Sequence, residues 1–200
     1  MANTQASFGF RHIGYLPGFG PDYQQLTRQI QSSNATKIFN GDPVVKQATS
    51  SYIIQASNNT ATIEGIFVGC NYVPTGGQLT LQPSPFWVGS AASDATGYLI
   101  NAPGALFLAA TLNTAIITSN IGQMVGFSIG TGSTSGGGFS GATLDAGTIT
   151  TNTASTVLFP FQIVDLYKGV GNGADATTPF NWVVVTFNNQ RFRTGSIGVA

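Results

Sequence analysis

Cysteine, histidine and glutamate occur once each, as Cys70, His12 and Glu64. A single cysteine excludes an intrachain disulfide. One histidine and one cysteine cannot build a zinc site within one chain, and the scattered acidic residues form no D-x-D-x-D-G calcium loop. No metal and no cofactor is therefore expected. Charge is equally scarce: seven Lys and Arg and seven Asp and Glu make up 7% of the 200 residues, against about 25% in an average soluble protein. The net charge is zero, and the closest basic pair is Arg191 with Arg193. Nucleic-acid binding through counterion release needs a basic face, so no nucleic-acid partner is expected. Long apolar runs are missing too. Gly, Asn or Thr interrupts each of them, and a membrane-spanning helix needs about 20 apolar residues. No membrane partner is expected, and the N-terminal MANTQASFGFRHIGYLPG lacks the basic and apolar regions of a signal peptide. A surface this poor in charge is weakly soluble by charge alone. It makes sense if partner subunits cover much of it, so a homo-oligomer, a dimer or trimer, is expected.

What the chain does have is apolar residues (42%), including 14 Phe, punctuated throughout by 26 Gly and 9 Pro. Short runs rich in Val, Ile, Phe, Tyr and Thr between turn signals predict strands. Candidates are SSYIIQAS, ATIEGIFVGCNY, GALFLAAT, QMVGFSIG, TVLFPFQIVDLY and NWVVVTFNNQRF. In TVLFPFQIVDLY, Phe159, Phe161 and Ile163 share one face, and Pro160 removes a backbone donor, which predicts an edge strand or a bulge. NWVVVTFNNQ is apolar on both faces, which predicts a central strand or one covered by a neighbouring subunit. DYQQLTRQIQ fits a helix through Tyr23, Leu26 and Ile30, and equally a strand with Leu26 and Ile30 on one side. NATKIFNG predicts a single helical turn stopping at Asn40-Gly41, LDAGTITTNTAST a strand or extended loop, and KGVGNGADATTP a long connection. GTGSTSGGGFSG, residues 130–141, reads as a flexible Gly/Ser loop with a mobile tip. The fold class is all-β: an antiparallel β-sandwich or small barrel with an extended N-terminal segment and Gly/Ser-rich loops. Residues 1–25 form an N-terminal arm or first strand, and 26–200 a single β domain.

Candidate chemistry is thin. A Cys or Ser nucleophile needs a base within reach, and nothing in the sequence pairs His12 with Cys70 or with a serine. No G-x-S-x-G elbow and no G-x-x-x-x-G-K phosphate loop is present. Asp42, Asp94, Asp145 and Asp175 fall where Asp serves turns. The expectation is that the protein is not an enzyme. Counting alternate positions along EGIFVGCNYVP puts Ile66, Val68, Cys70 and Tyr72 on one face and Gly65, Phe67 and Gly69 on the other. Cys70 is then a small buried hydrophobe. Trp87, Tyr98, Phe86 and Phe19 lie near Gly/Pro loops, where aromatics on a β-sandwich stack on sugars or, more often, fill a core or an interface.

Taken in order, ASFGFRHIGYLPG, IFNGDPVV, EGIFVGCNYV, SPFW, FQIVDLY and VVVTFNNQRF span residues 6 to 192. The series resembles a group of tailed-bacteriophage virion proteins usually found beside the major capsid protein. Typical members look like F-G-F-r-P, then G-D-P-V, G-v-F-v-G-c-e-Y, y-W, f-r-I-V-g-l and v-k-f-N-n-h-x-y. This chain departs from them at His12, where members often have Pro, and at Asn71, where they have an acidic residue. It departs again in the uncharged NAPGALFLA, where they often carry an acidic D-P-d-x-x-F segment. The resemblance implies a cement or head-decoration protein on the capsid exterior, assembled in the host cytoplasm, with the major capsid protein and its own copies as partners. It also implies an N-terminal segment that reaches a neighbour, with Phe8, Phe10, Tyr15 and Phe19 as aromatic anchors and Arg11 as a charged hydrogen-bond donor. The same Phe8 and Phe10 also fit the start of a core strand. A tail or baseplate β-protein, and a sugar-binding module using Trp87, are the other readings the residues allow.

Overall fold

A computed structural model describes residues 2–20, 25–76, 80–135, 137–150 and 158–192. Among them are twelve strands and one 3-10 turn, Thr118–Asn120. The strands are β1 (Arg11–Tyr15), β2 (Leu26–Ile30), β3 (Pro43–Lys46), β4 (Ile53–Gln55), β5 (Gly65–Tyr72) and β6 (Gln82–Ser84), then β7 (Ala95–Ile100), β8 (Ala105–Ala110), β9 (Met124–Ser128), β10 (Thr143–Thr150), β11 (Phe161–Leu166) and β12 (Trp182–Phe187). They form two antiparallel sheets packed as a sandwich and not closed into a barrel. The first sheet runs β1-β8-β12-β11-β9-β10 and the second β2-β7-β5-β3-β4, with β6 added on β5.

Period-2 alternation explains the larger core. Val183, Val185 and Phe187 of β12 meet Phe107 and Ala109 of β8, Phe161 and Ile163 of β11, and Val125 and Phe127 of β9, all buried. Ile66 of β5 closes this cluster from the second sheet. Each such Phe or branched side chain contributes about 1.5–3 kcal/mol of burial. A second cluster fills the opposite face of the second sheet: Ile30, Val44, Ile53, Phe67, Cys70 and Leu99, roofed by Ile38, Trp87 and Ala91. The second sheet is thus apolar on both faces. It also curls, so that β2 and β4 approach each other without pairing. Asp94 spans the ends of that opening, accepting from the Ser32 N–H at 2.9 Å and the Tyr52 hydroxyl at 2.6 Å. The Tyr52 hydrogen bond, then that of Ser32, holds the Asp94 carboxyl below the usual carboxylate range.

Several sequence expectations change. Along β5, Ile66 and Cys70 do not share a face: the register against β7 shifts between Phe67 and Gly69. That bulge adds one residue, so Phe67, Cys70 and Tyr72 align on the second cluster and Ile66 on the first. Of the two expectations for the strand at Pro160, the edge strand is not met and the irregular strand is, since β11 carries a register shift. Pro160 stands just before β11, an interior strand between β12 and β9. Lacking an N–H, it still accepts through its carbonyl, from the amides of Asn188 at 2.8 Å and Asn189 at 3.3 Å. The register shift in β11 falls between Ile163 and Asp165. NATKIFNG makes no helical turn; Ile38 and Asn40 are extended and bridge Trp87 and Phe139. The segment from Leu26 is a strand; Tyr23 lies outside the described residues, as do 151–157 at the end of the Thr-rich stretch. The Gly/Ser loop is no free tip. Gly138 O accepts from Asn40 N at 2.9 Å, and Ser140 N donates to Asn40 O at 2.9 Å.

What pins that loop is Asp42, which is fully buried. Its carboxylate accepts from Phe39 N (2.7 Å), Gln55 Nε2 (2.7 Å) and the Ser140 hydroxyl. Ser140 Oγ in turn accepts from Ala142 N at 2.8 Å. Beside this cluster Phe10 N donates to Gly41 O at 3.0 Å and Gly41 N to Phe67 O at 2.8 Å. Gly9 (φ 73°) and Gly41 (φ 94°) adopt the left-handed region at this crossing. A Cβ on Gly9 would stand 2.5 Å from Ser140 Cβ, so the chains cross here only as glycine.

Two outcomes follow from this packing. Desolvation, the largest cause, raises the Asp42 pKa despite the hydrogen bonds from Phe39, Ser140 and Gln55, which lower it. A folded-state value above the unfolded one means the native state takes up the proton first. Stability should therefore rise as pH falls from neutrality toward the ordinary Asp value, and this contribution should vanish in Asp42→Asn. That variant, whose amide faces donors, should lose about 1–3 kcal/mol at pH 7 in urea titrations. Cys70 is buried, and burial pushes its thiol up to about 12 from 9.0. Its labelling by a disulfide reagent at pH 8 should be at least about a hundredfold slower in the native protein than in denaturant.

Candidate interface at the β1 edge

Strand β1 is an end strand: it pairs with β8 alone, with a register shift between His12 and Gly14. Its other edge adjoins no strand of either sheet among the described residues. Such an edge is a template for another extended chain. The five sequence-predicted interface residues lie on or beside it, and they divide. Phe10 is 2% exposed, stacked on Phe161 with ring centroids 4.3 Å apart and edge-on to Phe127 at 6.4 Å. It is a core residue and is not free to anchor a partner; the second reading of FGF, the start of a core strand, describes it better. Phe8 is half-buried, edge-on to Trp182 at 5.1 Å. Tyr15 packs on the larger core and on the His12 ring at 4.9 Å. Phe19, 49% exposed, lies over Gly104, apart from the others.

Arg11 is exposed. Its guanidinium sits 5.3 Å from the Phe8 ring centroid and 5.8 Å from that of Phe139, a cation–π arrangement that holds it in place. Ile13, two residues on, is 49% exposed. Between β1 and the second sheet lies a cavity of about 180 Å³, lined by Arg11, His12, Asn40, Val68, Ile100 and Phe139 among others. His12 Nε2 is buried without a hydrogen-bond partner. Sequence reasoning missed Phe139, Asn40, Val68 and Ile100 at this place. The single aromatic in GGGFSG was the available signal, a ring in a glycine run having no local reason to be there.

The residues that invited chemistry are placed elsewhere. Cys70 Sγ lies 3.5 Å from the Phe86 carbonyl, in the second cluster, whereas the His12 ring packs on Phe107 of the first. Glu64, 2% exposed, is neutralised by two arginines. Arg28 gives Nε and Nη2 to Oε1 at 2.8 and 2.7 Å, and Arg191 gives Nη1 to Oε2 at 3.4 Å. That cluster ties β2 and the segment after β12 to the start of β5. Trp87 is fully buried and its indole N–H donates to Asn34 O at 2.8 Å, so its face cannot take a sugar. Phe86 stacks on Phe39 at 5.7 Å, and Asn71 donates to the Tyr98 hydroxyl at 2.7 Å. Among the described residues no three His, Cys, Asp or Glu side chains gather as metal ligands.

No protein-family model, no curated protein and no solved structure matches this chain.

The division of the N-terminal residues is testable by stability alone. Phe10→Ala should cost about 3–5 kcal/mol. Arg11→Ala, which loses only exposed cation–π contacts, should cost under about 1 kcal/mol. Urea denaturation of the two variants reads the difference directly.

Proposed function

We propose that this protein is a structural component of a tailed-bacteriophage head, a cement protein that binds the outer surface of the capsid and strengthens contacts between major capsid protein subunits. The observation that carries the reading is the ordered motif series from FGFRH to VTFNNQ. The fold gives it a mechanism. A rigid sandwich presents an end strand, β1, with Arg11 and Ile13 exposed on it and Phe19 beyond it. The other exposed apolar side chains include Leu81, Ile117, Ile121 and Val170. Several small apolar contacts suit a protein seated where several subunits meet. Each contact is weak, and simultaneous engagement makes the hold strong. Copies of this chain engaging one another add to the same effect.

Purified protein mixed with heads lacking it should co-sediment at a saturating, symmetry-related copy number, and raise the temperature at which the heads release DNA. Arg11→Glu with Ile13→Asp should abolish that binding while leaving the protein folded. Recovery of the protein with purified tails and not with heads would overturn the assignment.

A further inference from the structure

We infer that Asn172 is a modification site, where the backbone nitrogen of Gly173 converts the side-chain amide to a carboxylate at a pace set by the segment Ala2–Thr4 bound across it. Nothing in this site depends on the capsid reading. Asn-Gly occurs twice in the chain, at Asn40-Gly41 and at Asn172-Gly173. A following glycine makes asparagine labile, because no Cβ screens the attacking nitrogen and the backbone can swing it toward the side chain. At position 173 the fold allows nothing else. Gly173 has φ 86°, and a Cβ on it would stand 2.3 Å from Trp182 Cδ1. Its carbonyl accepts from Trp182 N at 2.9 Å, which ties it to the start of β12. Packing therefore demands glycine directly after an exposed asparagine.

The chemistry is a cyclisation. Gly173 N gives up its proton to base and attacks Asn172 Cγ, forming an N–Cγ bond. The Cγ–Nδ2 bond breaks, and the amide nitrogen takes up a proton and leaves as ammonia. Water then opens the succinimide at either carbonyl, leaving aspartate or isoaspartate at position 172. Asn172 lines a cavity of about 600 Å³ with Asn3, Thr4 and Asp175, so water and base reach the site.

The segment Ala2–Thr4 restrains both reacting groups. Gly173 N–H donates to Asn3 Oδ1 at 2.9 Å, so the attacking nitrogen keeps its proton. Asn3 is itself anchored, its Nδ2 donating to Asp175 O at 2.7 Å. Asn172 Nδ2 donates to Thr4 O at 3.1 Å, and its Oδ1 accepts from Thr4 N at 2.8 Å and Thr4 Oγ1 at 3.0 Å. Those two donors polarise the carbonyl as an oxyanion hole does. The same three bonds stop the side chain turning toward Gly173 N, so restraint wins while the segment is seated. Conversion loosens it. A carboxylate has no hydrogen to give to Thr4 O, and acceptor then faces acceptor. Each event is one-way and adds a negative charge to a chain of net charge zero. Asn40-Gly41 is held differently: Gly41 is buried and its N–H donates to Phe67 O at 2.8 Å, inside the sandwich.

The test incubates the full-length protein in mildly alkaline buffer and follows aspartate and isoaspartate at positions 172 and 40 by mass spectrometry. A blocked peptide of residues 169–176 sets the unrestrained rate. Position 172 should convert at least about tenfold more slowly in the native protein than in the peptide, and Asn3→Ala should speed it at least about fivefold. Position 40 should stay unconverted in both proteins. Acrylamide quenching of tryptophan should rise with conversion, because Trp87 is fully buried and Trp182 lies against the loop that the segment holds. Asn172→Ser, which has no amide to lose, should show no such rise on incubation. Equal rates in Asn3→Ala and the unsubstituted protein overturn the proposal, as does native conversion at the peptide's rate. Conversion at position 40 in step with position 172 also overturns it, because global unfolding would then set the pace.

Discussion

The carboxylate of Asp42 is the point on which the packing of this molecule turns. Three segments donate to it: its own extended run through Phe39, β4 through Gln55 and, far along the chain, the Gly/Ser loop through Ser140. A fourth, the N-terminal segment, is held alongside by Phe10 N on Gly41 O. A buried carboxylate without a cation is expensive, and here only hydrogen-bond donors offset the cost. Each donor has few alternatives. Ser140 is buried, and its hydroxyl oxygen is already used by Ala142 N. The geometry must therefore be met by all four segments at once. Meeting it sets Phe10 into the larger core, draws Gly138 and Phe139 inward and places Phe139 over Arg11. The β1 edge owes its shape to a residue that forms no part of it.

The residues of the motif series fall on this framework. Gly9 and Phe10 lie at the crossing and Asp42 at its centre. Phe67 and Cys70 lie in the second cluster with Trp87, and Phe161, Val183, Val185 and Phe187 in the first. These are side chains and glycines that packing demands. The series describes how a fold is built and says little of what the fold touches. Exposed apolar side chains lie elsewhere on the chain: Ile13 within the first motif, Phe19 just after it and Val170 between the last two.

That distinction explains what was legible in the sequence. Strands with long β-branched or aromatic runs, such as β5, β8, β9, β11 and β12, could be read, because such runs report burial directly, whereas β3, β6 and the ATGYLI of β7 were not among the candidates. β12, apolar on both parities, lies centrally between β8 and β11, and Cys70 is buried. Whatever depended on a one-residue offset could not be read. The bulge between Phe67 and Gly69 moves Cys70 to the opposite face from Ile66, and no local feature of GIFVGCNY distinguishes a bulged from a regular strand. The path of the Gly/Ser loop was invisible for another reason. Its composition reports conformational freedom, whereas its structure is set by Asp42, some hundred residues away. Phe10 was ambiguous because an aromatic at an N-terminus serves a core or a neighbour equally well until its surroundings are known.

Net neutrality conceals an asymmetry in how the few charges are used. Among the described residues, carboxylates are spent inward as acceptors. Asp42 and Glu64 are buried, Asp94 bridges the ends of two strands, and Asp145 and Asp175 cap turns. The cations are spent less completely. Arg28 and Arg191 share Glu64 and Lys168 pairs with Asp165, whereas Arg11, Lys37 and Lys46 form no ion pair with a described carboxylate. The reason is chemical. A carboxylate accepts from backbone N–H groups, which every turn and loop supplies in excess. A guanidinium needs acceptors, and strand carbonyls are already taken by the ladders. In a chain with so few charges the unpaired cations therefore face outward by default. Among them Arg11 alone is flanked by two aromatic rings and adjoins a buried unpartnered donor. Charge scarcity thus leaves one oriented guanidinium on a nearly neutral surface.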